Sequence, residues 1–380
     1  MLASKSGFSL KHSSILKKHM DNQYGSENDF DDAVAQGWAA VDASLARIYG
    51  DQKPQHVGTI LSHRLGGPDP LDGISAYWRT SPVPHWHYVT YGLSELYEKE
   101  SDDLETSGYG FELTFRLRAL EGETTAPTWV FNLLQNLARY VFKTGNVFSQ
   151  GDRMGANGPI ALNTATKLCS LGFVADPELP TVQTPNGRLA FVQAVGLTAE
   201  EEHAAKRWQM GQLLDVMLPY MPLWITDLHR SSLLDLGDVA AEVKAGTERD
   251  GSSCGFVYTD VLAVTENRRL LRSTIANIVL GARQVEELGA LLVLRISFGR
   301  TFVLSNRDWR VVLEPGAQSG WRIEDHVMTV TMDPACARQF AETVQPQEGR
   351  YHLPGLPSIV WDVQPTLIRD ADGNVVKKIG

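Results

Sequence analysis

His85 and His87 flank Trp86 and form the clearest candidate for metal chemistry in this sequence. Residues 85–93 predict a strand, and side chains two positions apart on a strand point to the same face. Two imidazoles on one face can ligate a divalent metal. A third ligand would have to come from Asp69, Asp72 or Asp227. Because no spacing specifies that ligand, the alternative is local hydrogen bonding beside a proline-rich loop, and we predict no metal and no other cofactor.

Tyr140 and Asp152 form a second candidate pair, suited to binding a partner. Tyr140 lies at the border of the apolar stripe on a predicted helix, so its ring can pack while its hydroxyl faces solvent. Asp152 follows in a turn. A phenol and a carboxylate together can hold a polar side chain such as a partner's histidine. The alternative is an ordinary boundary tyrosine and a turn aspartate, since aspartate is common in turns.

The known catalytic motifs are missing from the sequence. Gly108 and Gly110 give a G-x-G, but the third glycine of a dinucleotide site is absent and a strand follows where a helix should begin. Residues 251–255 (GSSCG) fit G-x-S-x-G as a string, but the strand predicted at 255–264 follows where a nucleophile elbow needs a helix, and no H-E-x-x-H is present. No spacing favours a Ser–His–Asp or Cys–His set. We therefore predict a protein that is not an enzyme.

Composition and charge narrow the class of protein further. Hydrophobic residues make up 43% of the 380 residues and charged residues 21%, so the chain can bury a core. The net charge of -10 favours a basic protein partner over nucleic acid. No window of 18 apolar residues predicts a membrane helix. The three cysteines are scattered without C-x-x-C spacing, which favours a reducing compartment, and we predict the cytoplasm.

Periodicity predicts elements of both kinds. Residues 29–49 predict a helix, and a second helix opens at Pro127 and ends at Gly145. Residues 109–118 alternate, with Phe115 among the apolar residues of one face, and predict a half-buried antiparallel strand. Residues 61–84, rich in glycine and proline, predict a long loop. Thr198 and Glu201 predict a capping box before a helix that continues to Met217. Further strands are predicted at 188–197, 222–228, 255–264, 291–298, 301–305, 309–313, 326–332 and 358–363, and further helices at 273–287 and 334–344.

This mixture predicts an α+β protein of two lobes, each of mixed, mainly antiparallel sheet with packed helices. We expect residues 1–27 to form a loose leader. We expect residues 28–265 to form the N-terminal domain and residues 266–380 the C-terminal domain, with a short polar bridge at 265–272 between them.

Several strings in the sequence together resemble one protein family. They are LGGPDPLD at 65–72, HWHY at 85–88, GLSELY at 92–97, SGYGFELTFRL at 107–117, PTW at 127–129, LARYVF at 137–142, VQTP at 182–185 and WITD at 224–227. They occur in order and at the family's spacing over about residues 30 to 260. The C-terminal third adds a stretch around FGRTF at 298–302. On these strings the chain is identified as similar to the Suppressor of fused family.

The resemblance implies a two-lobed α+β protein with no known catalysis. Animal members restrain the Gli transcription factors of Hedgehog signalling and hold a short peptide as an added strand in the cleft between the lobes, which is β-augmentation. In that family a tyrosine and an aspartate hold the peptide's histidine, and the matching positions here are Tyr140 and Asp152. The strand of the second lobe would carry Leu291, Val293 and Arg295.

The resemblance leaves three functions open. Compact relatives in bacteria occur in toxin–immunity gene clusters, so the first expectation is an immunity-type inhibitor of a basic toxin. Regulation of a peptide partner, as with Gli, is the second expectation. It ranks below the first because the chain lacks the long acidic insert of animal members. A metal-dependent hydrolase using His85 and His87 is the third.

Overall fold

The computed structural model describes residues 35–61, 63, 66–259, 261–267, 274–369 and 373–380. The predicted leader, residues 1–27, lies outside them, as do residues 29–34 of the first predicted helix. The helices are α1 (Gln36–Tyr49), α2 (Thr128–Thr144), α3 (Ala199–Arg207), α4 (Met210–Met217), α5 (Gly237–Asp250), α6 (Ala282–Ile296) and α7 (Pro334–Thr343). The strands are β1 (Gln55–Gly58), β2 (Gly73–Arg79), β3 (His85–Tyr91), β4 (Thr106–Arg118), β5 (Arg153–Gly155), β6 (Leu168–Ala175), β7 (Val182–Thr184), β8 (Gly187–Thr198), β9 (Phe256–Tyr258), β10 (Leu262–Asn267), β11 (Ile275–Gly281), β12 (Phe302–Ser305), β13 (Arg310–Pro315), β14 (Gly320–Glu324), β15 (Val327–Met332), β16 (Gly349–Leu353), β17 (Leu356–Gln364), β18 (Thr366–Arg369) and β19 (Val375–Ile379).

The strands form one large sheet in the N-terminal part and smaller sheets in the C-terminal part. The large sheet has the order β1-β2-β3-β4-β8-β6-β5, and β7 pairs with β8. Its neighbours are antiparallel except β4 and β8, which are parallel. The C-terminal strands form the sheets β14-β15-β13-β12-β9, β10-β11-β17-β16 and β18-β19. Helices packed on mixed sheets confirm the predicted α+β class.

Helix α2 covers one face of the large sheet and runs as its apolar stripe predicts. Val130 and Leu134 of the helix belong to the same buried cluster as Leu113 and Phe115 of β4. Gly145 ends the helix in the left-handed conformation, with a φ of 73° that glycine adopts without steric cost. The helix therefore fixes Tyr140 beside the sheet.

The opposite face of β4 corrects one prediction. We expected this strand to be half-buried, yet Glu112, Thr114 and Arg116 are as fully buried as the apolar residues between them. Glu112 accepts hydrogen bonds from the amide and hydroxyl of Ser94, and Arg116 pairs with Asp176. Burial of polar groups is tolerated because partners from other elements satisfy them.

The helix that follows β8 also differs in part from its prediction. The capping box is confirmed, since the Thr198 hydroxyl accepts from the Glu201 amide and the Glu201 carboxylate accepts from the Thr198 amide. The helix does not continue as expected, because it ends at Arg207, the backbone of Trp208 is non-helical, and α4 begins at Met210. The indole of Trp208 is buried and donates to Asp250.

The segment 273–298 reverses the prediction. A helix was expected at 273–287 and a strand at 291–298, but β11 occupies Ile275–Gly281 and α6 occupies Ala282–Ile296. The helix was predicted because Ile275, Ile278 and Val279 fit helical spacing. The segment forms a strand instead, in which the alternate residues Ala276, Ile278 and Leu280 are all buried in the core.

Two other segments differ from prediction. Strand β2 lies within the predicted loop 61–84. The predicted strand at 222–228 is a short 3₁₀ turn at Pro222–Trp224, followed by a single bridge between Leu117 and Thr226. The tertiary contacts of Thr226, whose amide donates to Arg116 O, hold this segment against the end of β4.

The chain passes from the large sheet to the C-terminal sheets through residues 251–255. Strand β9 pairs with β12, and β10 pairs with β11, so both strands join sheets formed by later residues. The expected boundary at residue 265 lies within β10. Among the helices of the described residues, none combines the length and the hydropathy that crossing a bilayer requires.

Candidate functional site

His85 and His87 lie side by side on β3, as predicted, but both are buried and bonded to protein groups. Nδ1 of His85 lies 2.7 Å from Val83 O. Nδ1 of His87 accepts from the Tyr49 hydroxyl at 2.7 Å, and its Nε2 lies 3.2 Å from the carboxylate of Asp176. The structure therefore matches the local hydrogen-bonding alternative, in which each imidazole has a fixed role in packing.

These histidines belong to a buried ionic cluster. Asp176 pairs with Arg116 at 2.7 Å, and Arg116 also reaches Glu178 at 3.0 Å. Burial, with the Arg116 charge, lowers the pKa of His87 to about 4, and burial lowers that of His85 to about 4. Burial alone would raise the pKa of Asp176, but the hydrogen bond from His87 and the charge of Arg116 outweigh it and hold that pKa well below its usual range. The cluster holds α1, through Tyr49, against the sheet.

The carboxylates considered as a third metal ligand do not meet the histidines. Asp69 pairs with Arg139 on α2, and Asp227 pairs with Arg118 at 3.0 Å. Asp72 lines a separate cleft. In the described part of the chain, no group of three histidine, cysteine, aspartate or glutamate residues is placed to hold a metal ion. The geometry offers no support for metal chemistry at this position.

Tyr140 and Asp152 are linked to each other through a stack of aromatic rings. The Tyr140 ring stacks on Phe148, with 5.6 Å between ring centroids, and Phe148 stacks on Phe173 at 4.2 Å. The Phe173 amide donates to Asp152 O at 3.0 Å, which attaches the turn to the same stack. The Tyr140 hydroxyl accepts from Asn146 and stays at the surface. The ring stack therefore links the helix that carries Tyr140 to the turn that carries Asp152.

The Asp152 carboxylate is held in place by its own turn. Its Oδ2 accepts from the Ser149 amide at 2.7 Å, and its side chain is exposed. One oxygen fixes the turn, and the other remains available for a donor on a partner. This turn leads directly into β5.

Strand β5 is an open edge of the large sheet. Among the described strands it pairs with β6 alone. The Ala156 amide donates to Cys169 O and Asp152 O accepts from Phe173, so alternate residues face β6. The backbone groups of Arg153 and Gly155 therefore face away from the sheet, where an added strand can pair with them.

Within the described ranges, strand β9 has a neighbour on one side and is an open edge of a C-terminal sheet. It pairs with β12, through Gly255 O and the Thr259 amide, so the backbone groups of Phe256 and Tyr258 face outwards. The side chains of Phe256 and Tyr258 are 53% and 56% exposed, a large apolar area for a strand three residues long. Exposed aromatic residues at an unpaired edge are typical of a binding surface.

A side-chain contact connects β5 to the residues just before β9 at the junction between the lobes. The Arg153 guanidinium on β5 lies 3.1 Å from Cys254 Sγ, two residues before β9. The Ser253 amide donates to Trp208 O in the N-terminal part, and the Ser252 amide donates to Leu294 O in α6. The junction is therefore hydrogen-bonded to both parts and holds the edges near each other.

The residues expected to supply the second edge have other positions. Leu291, Val293 and Arg295 lie on helix α6, so the predicted strand there is wrong and cannot offer a sheet edge. Leu291 is buried and Val293 packs against the C-terminal core. Arg295 donates to the carbonyls of Ser252 and Thr301. Strand β9 lies within the strand predicted at 255–264, but its place at the edge of a sheet was not predicted, although the aromatic residues Phe256 and Tyr258, two positions apart, were a signal.

Two lobes of mixed sheet and helix, each with an open sheet edge near their junction, define a class of two-lobed α+β folds. The family model described as Suppressor of fused protein (SUFU) matches residues 67–231. The Suppressor of fused homologs of Homo sapiens and Mus musculus are 40% and 38% identical to this chain over 239 residues. The chain belongs to the Suppressor of fused family.

These matches cover the chains unequally. The alignments with the human and mouse proteins take in 58% of this chain and 49% of each relative, so the chain spans about half the length of these curated relatives. A crystal structure of Drosophila Suppressor of Fused matches with a TM-score of 0.75 and 23% identity over 87% of this chain and 97% of that one, which concerns the fold alone. A chain of a Sufu–Fu complex crystal structure matches with a TM-score of 0.53 and 32% identity over 56% of this chain and 98% of that one.

Proposed function

We propose that this chain is a non-enzymatic protein that binds an extended segment of a partner protein between β5 and β9. The observation that carries the proposal is the pair of open sheet edges brought together at the Arg153–Cys254 contact. A strand inserted there pairs with Arg153 and Gly155 on one side and with Phe256 and Tyr258 on the other. Backbone pairing supplies affinity, and the side chains around the groove supply specificity.

Tyr140 and Asp152 act as polar anchors beside this groove. The Tyr140 phenol stacks on Phe148, and the Asp152 carboxylate caps the turn that follows Phe148, so the two together can hold a donor side chain such as an imidazole. This role is consistent with the polar surface of the turn that precedes β5. The two anchors select the partner's side chain, whereas the edges accept any extended backbone.

The partner is a protein, and we propose that it is basic. A relative was crystallised in a Sufu–Fu complex, which supports a protein partner for this chain also. The net charge of -10 favours a basic surface opposite. Inhibition of a basic toxin by masking it is the activity that we propose first, and regulation of a peptide-bearing partner uses the same groove.

Two details of organisation belong to the proposal. We place the division between the lobes at residues 251–255, because β9 and β10 pair with later strands. We also propose a reducing compartment such as the cytoplasm, since the three cysteines, Cys169, Cys254 and Cys336, are all unpaired.

A display library of random peptides tests the groove for any extended partner. Gly155→Pro removes an outward amide from β5 and leaves the β6 ladder intact, because proline removes only its own donor. Gly58→Pro is the matched control, since Gly58 faces outwards on β1 at the opposite edge of the same sheet. Peptides selected on the unmodified protein should bind Gly155→Pro at least about tenfold more weakly and Gly58→Pro normally. Equal binding by both variants would show that the partner uses another surface.

A further inference from the structure

Three arginines contact residues 252–255, the junction segment that leads into β9. They are Arg153, Arg295 and Arg300. The Arg153 guanidinium lies 3.1 Å from Cys254 Sγ, and the other two arginines donate to Ser252 O at 2.8 and 3.1 Å. A Cβ atom at Gly255 would come within 2.7 Å of the Arg295 guanidinium, so this group lies directly against the segment. The junction is therefore basic, although the whole chain carries a net charge of -10.

The acidic residues next to these arginines in the sequence have other partners. The Asp250 carboxylate pairs with Arg249 at 2.7 Å. Asp152, which directly precedes the first of the three arginines, accepts from an amide of its own turn. Burial and the charge of Arg300 lower the pKa of Arg295, as expected where like charges lie close together. The junction therefore holds positive charge that the described part of the chain does not pair with a carboxylate.

Arg153 differs from the other two arginines in having donors without acceptors. Arg295 and Arg300 donate to backbone carbonyls, which fixes them in the junction. Among the described residues, the acceptor of the Arg153 guanidinium is Cys254 Sγ, and sulfur accepts weakly. Its Nε is buried without a partner, and its Nη1 bonds no described residue and is not among the buried atoms. Nη1 is therefore open to an incoming acceptor, and a charged donor gains most from an anionic one.

We infer that Arg153 binds the carboxylate of an aspartate or glutamate in the partner segment that lies along β5. The inference rests on the proposed function, because that segment is the strand added between β5 and β9. Side chains at matching positions of paired strands share a face, and successive positions alternate between faces. The partner residue that meets Arg153 is therefore adjacent in sequence to the one that meets Asp152. The segment should carry an acidic residue next to a donor such as histidine.

The two arginines behind Arg153 make this position selective. Arg295 and Arg300 keep the local potential positive without using their donors on the partner. A lysine or arginine of the segment is favoured elsewhere by the net charge of the chain, but it is repelled here. The position therefore sets the register of an otherwise basic partner, because one acidic residue must align with Arg153.

Peptides selected from the display library on the unmodified protein are the probes. Each peptide with an acidic residue is synthesised in two forms, the original and its carboxamide isostere, with glutamine for glutamate or asparagine for aspartate. Isothermal titration compares both forms on the unmodified full chain and on Arg153→Gln. The unmodified protein should bind the acidic form at least about tenfold more tightly, whereas Arg153→Gln should bind the two forms equally. Arg338→Gln, at an exposed arginine of α7, is the matched control and should keep the preference.

The four affinities separate contact with the partner from support of the junction, because a merely structural Arg153 would weaken both forms alike. An undiminished preference in Arg153→Gln, or a selected pool without acidic residues, would overturn the inference. If Gly155→Pro loses the peptides while Arg153→Gln keeps the preference, the strand groove holds and Arg153 is not its carboxylate site. If the preference requires Arg153 but Gly155→Pro binds normally, the carboxylate site holds and strand addition fails. A library that yields no binding peptide contradicts both.

Discussion

At the residue scale, the two candidate anchors differ in what holds them. Tyr140 is positioned by ring stacking on Phe148, so its hydroxyl contributes little to the fold. Asp152 has one oxygen committed to the Ser149 amide and a second one free. A partner therefore meets a carboxylate that is already oriented, which reduces the entropy lost on binding.

Asp152→Asn tests the role of this charge, because asparagine keeps the oxygen that accepts from Ser149. We expect partner binding to weaken by about 1–3 kcal/mol, the range for loss of a charged hydrogen bond, with the fold unchanged. Isothermal titration with a selected peptide measures the change. Asp235→Asn, an exposed aspartate remote from β5 in sequence, is the control. Normal binding by Asp152→Asn would remove this residue from the site.

The buried histidines predict how stability depends on pH. Folding lowers the pKa of His85 and His87 to about 4, below the ordinary value of 6.5. Between these values the unfolded chain binds protons that the folded protein does not, so the free energy of unfolding falls as pH decreases from about 6.5 to about 4. Each pKa unit contributes about 1.4 kcal/mol per histidine. Asp176, whose pKa is held low, adds to the loss in the same direction at lower pH.

Urea unfolding at a series of pH values measures this dependence. His87→Gln should give a shallower decrease between about pH 6.5 and 4, because one group that titrates on unfolding is gone. His229→Gln, at an exposed histidine, should leave the slope as it is. Identical slopes in the unmodified protein and His87→Gln would contradict the assignment of the decrease to the buried cluster.

At the scale of elements, the packing of α2 on β4 holds Tyr140 beside the large sheet. Phe115 is fully buried and meets Trp129 of the helix edge-on, with ring centroids 5.9 Å apart. Phe115→Ala should lower the free energy of unfolding by about 3–5 kcal/mol through loss of burial and the cavity it leaves. Phe256→Ala is the matched control at an exposed phenylalanine and should change stability by less than about 0.5 kcal/mol. Denaturant unfolding compares the two, and equal losses would contradict the described core.

Helices and strands were predicted correctly where the pattern of apolar residues in the sequence matches the side chains that are buried in the core. The apolar face of β4 and the stripe of α2 were predicted correctly, since each packs in the core. The ion pair between Arg116 and Asp176 joins residues 60 positions apart, and local periodicity carries no information about such a contact. The apolar residues of β11 fit both the helical period and the strand period, so only its pairing with β10 and β17 decides which structure forms.

The candidate site was also predictable only in part, because only some of its features depend on local sequence patterns. A helical wheel places Tyr140 at the border of a core stripe and the turn composition places Asp152 at the surface, whereas their pairing as anchors came from the family resemblance. The edge at β9 exists only because a strand three residues long closes one side of a sheet whose other members follow it by more than forty residues. A free edge is a property of sheet order, and strand order is not contained in any local pattern.

At the scale of the whole molecule, the binding groove depends on how the junction holds the lobes. Arg295 donates to Ser252 O at 2.8 Å and to Thr301 O at 2.7 Å, and Arg300 donates to Asp250 O at 2.9 Å. These bonds attach residues 250–252 to α6 and to the strand that follows it. The position of β9 relative to β5 therefore depends on arginine side chains that the partner does not need to touch.

Arg295→Met separates a structural role from direct contact with the partner. Methionine keeps the apolar stem and removes the donors, so we expect the free energy of unfolding to fall by about 1–3 kcal/mol, as for lost charged hydrogen bonds. Arg283→Met, at an exposed arginine of the same helix, is the control and should be close to neutral. Thermal unfolding and titration with a selected peptide give the two readouts. Unchanged stability with lost peptide binding would mean that Arg295 contacts the partner directly, whereas lost stability with a proportionate loss of binding assigns it to the junction.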